Sequence, residues 1–306
     1  MSALARLATA ACLAAAAATA HAGSGAASRY CDAESRLTVA QKSRMLQLSA
    51  IIREELDRSG AEAAIVSRTG LDLERWDIRH SHAGISVKRG ADTPWSVRQL
   101  YYACDEGQPR IYDQGLSAFL FGADQPLLGH VSVVLLPDEA AAAAVQRSAL
   151  DNRLALALLA GRYSANAYPF STRYQNCNQW LAELLAAAWG GIAAGPEART
   201  QAQRWLVQQR YEPTRVEVGW RVAMWAGAAF VPWIHNDDHP DDDLAAARYR
   251  ISLPAAIEGL VHAQLPRAER IQFCYTTTHV LVRRGWGPAQ AADCTAEAGD
   301  EVRPLP

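Results

Sequence analysis

Cys177 is the residue in this sequence best placed to do chemistry. It stands in Tyr174-Gln175-Asn176-Cys177-Asn178-Gln179-Trp180, where a polar, turn-prone stretch runs into the apolar spacing Trp180, Leu181, Leu184, Leu185, Ala188. That spacing predicts a helix starting at the cysteine, with Asn176 as its N-cap. A thiol in the first turn of a helix faces unpaired backbone N–H groups and the positive end of the helix dipole. Both favour the thiolate, the form that attacks an acyl carbonyl. Such a nucleophile needs a base within reach, and histidine titrates near neutrality. His82 opens a strand-like run, Ser81-His82-Ala83-Gly84-Ile85, whose small residues Ala83 and Gly84 leave room for another element to approach. His80 faces the same side of an extended strand, so spacing leaves the choice between the two open. His130, at the head of another apolar run, and His279, in a hairpin-like pair, are lesser candidates.

Cysteine arithmetic points to the same residue. The first 22 residues join a single basic residue, Arg6, to an apolar run from Leu7 to Ala18 and a small-residue end, Ala20-His21-Ala22. This is the pattern of a secretory signal cut after Ala22, and it predicts a periplasmic or secreted product. Of the 6 cysteines, Cys12 leaves with the leader. The remainder, Cys31, Cys104, Cys177, Cys274 and Cys294, is odd in number, so in an oxidising compartment at least one thiol lacks an intramolecular partner. With Cys177 set aside, the chosen pairing among three is Cys31–Cys104 and Cys274–Cys294.

Several elements must position these residues. Met45, Leu48, Ile51, Ile52 and Leu56 repeat at helical spacing between Val39 and Arg58, and Ser59-Gly60 ends the run. Runs at 83–88 and 95–103 around a Gly/Asp/Pro turn predict a hairpin, and His130 to Leu136 predicts a buried strand. A helical stretch from Glu139 to about Leu159, broken near Asp151-Asn152, precedes a loop from Gly161 to Asn176 that delivers the chain to Cys177. Helices are predicted at about 198–209 and from Pro254 to His262, a pair of β-runs over 271–284, and a loose last dozen residues. Trp220, Trp225 and Trp233 are expected to fill a core in preference to lining a cleft. His235-Asn236-Asp237-Asp238-His239-Pro240-Asp241-Asp242-Asp243 has metal-ligand residue types and equally the composition of a solvated loop. With no cysteine or spaced histidine pair beside it, neither metal nor other cofactor is expected.

Histidine in a His-x-Gly-Ile strand, a polar residue on the next strand and then a cysteine at a helix start is an order that resembles the circularly permuted NlpC-type papain-like hydrolases, including the lecithin retinol acyltransferase group. The matching residues are His82-Ala83-Gly84-Ile85 and Asn176-Cys177-Asn178. Laying Val97-Arg98-Gln99-Leu100 on that pattern puts Gln99 at the third position, where histidine is common in those groups. Glutamine can accept an imidazole N–H but has no charge with which to stabilise imidazolium. Tyr102 and Asp105 are the alternatives. Residues 29 to 295 also resemble an exported bacterial family labelled domain of unknown function 2145, through Ser81-His82-Ala83-Gly84, Tyr112-Asp113-Gln114-Gly115-Leu116 and the stretch from Tyr168 to Trp180.

The resulting expectation is an α+β fold, a papain-like core with a small antiparallel sheet packed on the helix that starts at Cys177, plus extra helices. Residues 23–306 form one such domain, with a C-terminal elaboration from about 191. The expected activity is that of a thiol hydrolase, amidase, peptidase or acyltransferase. In it Cys177 attacks, His82 moves the proton, Gln99 orients His82, and Asn176 or Gln175 assists the Cys177 N–H at the oxyanion. Small-molecule, peptide or lipid acyl groups are the substrates in view. The alternative is a non-catalytic envelope binding protein on the same scaffold. Formal net charge is −2 and no basic cluster can track a phosphate backbone, which argues against nucleic acid as partner. Past the leader no apolar run is long enough to span a membrane. A composition that is 50% hydrophobic excludes general disorder.

Overall fold

The computed structural model describes residues 37–305 apart from Asp72, 89–92, 104–105, 123–126 and Asp138. Helix α1 (Val39–Ser59) begins with a capping box: the Thr38 hydroxyl accepts from Gln41 N–H while the Gln41 side chain accepts from Thr38 N–H. It ends at Gly60, whose left-handed φ of 68° suits a residue without a Cβ. Strands β1 (Ala63–Arg68), β2 (His82–Val87), β3 (Ser96–Ala103), β4 (Gln108–Gly115) and β5 (Gly129–Leu135) follow, with the short helix α2 (Leu116–Phe121) before β5. Then come α3 (Glu139–Leu150), α4 (Asn152–Ala157), α5 (Cys177–Gly190) and α6 (Ala198–Gln208). The C-terminal part holds β6 (Thr214–Glu217), α7 (Arg221–Phe230), α8 (Asp241–Ala245), β7 (Arg248–Ile251), α9 (Pro254–Gln264), β8 (Glu269–Tyr275), β9 (His279–Arg284) and β10 (Glu301–Pro304).

Eight strands form one antiparallel sheet in the order β10-β9-β8-β5-β1-β2-β3-β4, and β6 and β7 pair separately. The fold is therefore α+β, with a larger sheet than the sequence suggested. Two elements account for the difference. β4 is mostly polar and partly exposed, so periodicity did not mark it. The last residues, expected to be loose, pair with β9 from Glu301↔Val282 to Pro304↔His279, and Arg303 anchors them to Glu54 and Glu55 of α1. Strand alternation divides the core. Ala83, Ile85 and Val87 of β2 pack in the cluster that contains α5, while α1 and α2 cover the opposite face with Val97, Val131 and Val133.

α5 is buried from Cys177 to Ala187 although it carries Asn178, Gln179 and Glu183. Glu183, with no exposed surface, accepts from Gln175 (2.6 Å), Gln179 (3.0 Å) and Gln203 (2.9 Å) and holds Arg199 of α6 through both carboxylate oxygens (2.9 and 3.1 Å). Arg199 also donates to the carbonyls of Thr172 and Tyr174, so one ion pair fixes two helices and the loop before Cys177. Removing one member of a buried, fully hydrogen-bonded pair strands the other. Glu183→Ala is expected to cost about 3–5 kcal/mol, read as a lower urea midpoint at unchanged m-value.

Candidate active site

The Asn176 side chain accepts from Gln179 N–H at 2.7 Å, making it the N-cap of α5, and Cys177 is the first helical residue. Among the described cysteines Cys177 is free and buried, while Cys274 and Cys294 form a disulfide. Cys31 and Cys104 lie outside the described residues. The N–H groups of Cys177 and Asn178 point at the sulfur and lower its pKa, as the sequence implied. Burial is the larger effect and pushes the thiol up to about 12. The reason is magnitude: a fully desolvated thiolate loses more hydration than a single helix end returns.

His82 and Gln99 are brought together. Nε2 of His82 is hydrogen-bonded to the Gln99 side-chain oxygen, which leaves Nδ1 without a hydrogen bond. Gly84 makes this possible, because a Cβ there would lie 2.6 Å from Val97 and 3.4 Å from the Gln99 Cβ. Burial, then the nearby Arg68 guanidinium, lower the His82 pKa to about 3, against a raising contribution from Gln99. His80 is not equivalent: it precedes the strand, and its ring meets His130 edge-on at 6.3 Å. Tyr102 stacks on Tyr163, and Asp105 lies outside the described residues.

The elements carrying Cys177 and His82 are tied together by the residues beside them. Asn178 donates to the carbonyl of Ser81 at 3.0 Å, clamping the first turn of α5 to the residue before His82. No hydrogen bond joins the thiol to the imidazole. The His82 ring lies 5.7 Å from the Phe119 ring, on the face of β2 opposite the one that Ala83 turns to α5. His82 thus turns to the face of the sheet opposite the one that packs on α5.

The Asn176 and Gln175 amides are spent elsewhere. Asn176 donates to Ala165 and Ser252 carbonyls, and Gln175 to the Leu158 carbonyl and Glu183. The donors left at the helix start are the backbone N–H groups of Cys177 and Asn178.

Two residues that sequence reasoning missed join the site. Arg68 pairs in register with His82, lies 5.2 Å over the Phe119 ring, and favours the Cys177 thiolate while disfavouring imidazolium. Gly122 accommodates it, since a Cβ there would stand 2.5 Å from its Nη2. The signal was a charged residue ending an apolar run. Tyr163 is buried, its phenol pushed well up by burial and then by Cys177, Tyr101 and Tyr102. Its ring stacks on Tyr102 at 4.9 Å, and Tyr102 meets Trp233 at 5.8 Å, forming an aromatic wall beside the thiol. Trp220 and Trp225, expected in a core, are 77% and 56% exposed; α7 buries only Met224. Parts of the run from His235 to Asp243 are tied into the fold: Asn166 donates to the His235 carbonyl, His239 is bonded to the Asn166 carbonyl, and Asp243 pairs with Arg248 and Arg250.

A family model described as an uncharacterized protein conserved in bacteria, DUF2145, matches residues 55–261. The chain belongs to this family. No curated protein and no solved structure matches the chain. The DUF2145 match contains Cys177, His82, Gln99, Arg68 and Tyr163, and stops before β8, β9 and β10.

A depressed histidine has a consequence for stability. Folded His82 stays neutral down to about pH 3, whereas the unfolded chain takes up its proton below about 6.5, so stability is lost as pH falls through that window. Between pH 7.5 and 4.5 this contributes a loss of about 2–3 kcal/mol. His80 and His239 act in the same direction. The wild type is therefore expected to lose more stability over that interval than His82→Gln, by urea unfolding at both pH values.

Proposed function

We propose that the chain is an exported thiol hydrolase or acyltransferase in which Cys177 is the nucleophile and His82, oriented by Gln99, is the base. The observation that carries this reading is the His82–Gln99 hydrogen bond, which leaves Nδ1 unbonded at the strand start to which the first turn of α5 is clamped. The resting pair is neutral, so proton transfer accompanies attack. Sγ approaches the acyl carbon while Nδ1 takes the thiol proton. The Cys177 and Asn178 N–H groups receive the developing oxyanion, and the leaving group departs with the proton from His82. Water or a second acceptor then attacks the thioester with His82 again as base. Closing Sγ onto Nδ1 round the start of β2 is the step this reading requires. Tyr102, Tyr163 and Trp233 offer flat apolar surface for an acyl or peptide substituent. The leader-like first 22 residues support a site of action outside the cytoplasm.

A second reading is favoured by the missing thiol–imidazole bond and by burial that keeps both groups neutral: a binding protein that retains the scaffold without turnover. Acylation by a p-nitrophenyl ester separates the two. The enzyme reading expects a burst of nitrophenol with an acyl group on Cys177 in the intact mass, abolished by Cys177→Ser. His82→Ala is expected to slow acylation by roughly 10²–10⁴-fold, the usual contribution of a general base. Absence of a Cys177 adduct, or a rate indifferent to His82, overturns the enzyme reading and leaves the binding one.

A further inference from the structure

The disulfide at the other end of the sheet is not surrounded by apolar atoms alone. His130 of β5 places Nε2 3.1 Å from Cys274 Sγ, and the ligand atoms of His130, Cys274 and Cys294 all lie within 4.8 Å of one another. All three residues are buried. Cys294 is brought there by a turn in which its N–H donates to the Ala291 carbonyl and its own backbone is left-handed at φ 57°, a conformation that non-glycine residues seldom hold without a constraint. A second imidazole stands beside the group. The His80 ring meets His130 edge-on at 6.3 Å, and its Nε2 is buried with no hydrogen-bond partner. A cavity of about 50 Å³, lined by Thr69, Arg79, Leu128, His130 and Ala292 among others, borders His130.

We propose that Cys274, Cys294, His130 and His80 form a redox-gated site for a thiophilic divalent cation, Zn²⁺ being the type, which is closed by the disulfide and opened by its reduction. A dithiol reductant supplies two electrons and two protons: the S–S bond breaks, two thiols form, and the reductant becomes a disulfide. The cation then displaces both thiol protons and is held by two thiolates and two neutral imidazoles. Donor atoms around tetrahedral zinc, at about 2.3 Å for sulfur and 2.0–2.1 Å for nitrogen, stand about 3.3–3.8 Å apart. Parting the two sulfurs on reduction and easing the His130 contact outward reaches that spacing, and His80, whose ring meets that of His130, is assigned the fourth position. Neutral imidazole is the ligating form, and burial lowers the pKa of both histidines. This site shares no residue with the Cys177 site, so the proposal does not rest on the hydrolase reading.

Cobalt reports the ligands directly, because thiolate coordination gives a near-ultraviolet charge-transfer band and tetrahedral geometry gives intense visible bands. The test uses the full chain with Cys12, Cys31, Cys104 and Cys177 changed to serine, reduced with a phosphine, its fold checked by circular dichroism. Stoichiometric Co²⁺ is expected to produce both sets of bands, Zn²⁺ to displace it, and the oxidised protein to show neither. His130→Ala and His80→Ala are each expected to weaken binding at least tenfold. In the reduced wild-type chain Zn²⁺ is expected to protect Cys274 and Cys294 from maleimide, by peptide mapping. A folded, reduced protein without the charge-transfer band, or with no protection of these two cysteines, overturns the proposal. Affinity unchanged by His80→Ala overturns the assignment of the fourth ligand.

Discussion

The buried Glu183 carboxylate is the interaction on which the position of Cys177 depends. A charge with no exposed surface is tolerated only when its neighbours replace water, and here Gln175, Gln179, Gln203 and Arg199 do so. These donors come from the loop before α5, from α5 itself and from α6. Satisfying one carboxylate therefore sets the spacing of three segments at once. The loop cannot move without uncovering Glu183 or Arg199, and the register at which the chain enters α5 follows. That register is what makes Cys177, rather than a residue one turn away, the first residue of the helix.

The same burial governs the chemistry of the thiol. Helix N-termini are cited as thiolate-stabilising, and the N–H groups of Cys177 and Asn178 do act in that sense. They act here on a sulfur almost cut off from water, and desolvation outweighs them. His82 behaves in parallel: Gln99 favours its protonated form, yet burial and the Arg68 charge disfavour it more strongly. Both groups rest neutral. Arg68 pulls in opposite directions on the pair, favouring an anion at Cys177 and opposing a cation at His82, so it stabilises charge on the sulfur without an imidazolium. A thiol held this way stays protonated unless something else replaces the missing solvation.

Local signals in the sequence carried much of this. The N-cap at Asn176, the helix from Cys177, the hairpin of β2 and β3, the break between α3 and α4 and the Cys274–Cys294 bridge were all legible, because each depends on a few adjacent residues or on cysteine parity. What was not legible depends on which distant residues meet. β4 reads as polar loop because one edge of a sheet needs no apolar alternation. β10 reads as loose because its anchors, Glu54 and Glu55, lie at the far end of the chain. The apolar, exposed α7 defeats composition altogether, since Trp220 and Trp225 look like core. Strand parity would put His82 and His80 on one face; His80 precedes β2 and its ring meets His130, whereas that of His82 meets Phe119.

The segment after α5 also has a mechanical part. Asn176 donates to the Ser252 carbonyl at the threshold of α9, while the Ser252 hydroxyl accepts from Tyr211 after α6. Asn166 fastens the loop before Cys177 to His235 and His239, and Ala165 N–H donates to the Trp233 carbonyl. The loop that presents Cys177 is thus held from behind by residues between 211 and 252. Those residues form only short elements, β6, α7, α8 and β7, around a small apolar cluster and leave α7 largely uncovered, so their order comes from these polar ties as well as from apolar packing. This gives a physical reason why the family match runs unbroken from α1 into α9: the segment after α5 is part of the frame that places the thiol, and it is not separable from the segment carrying His82.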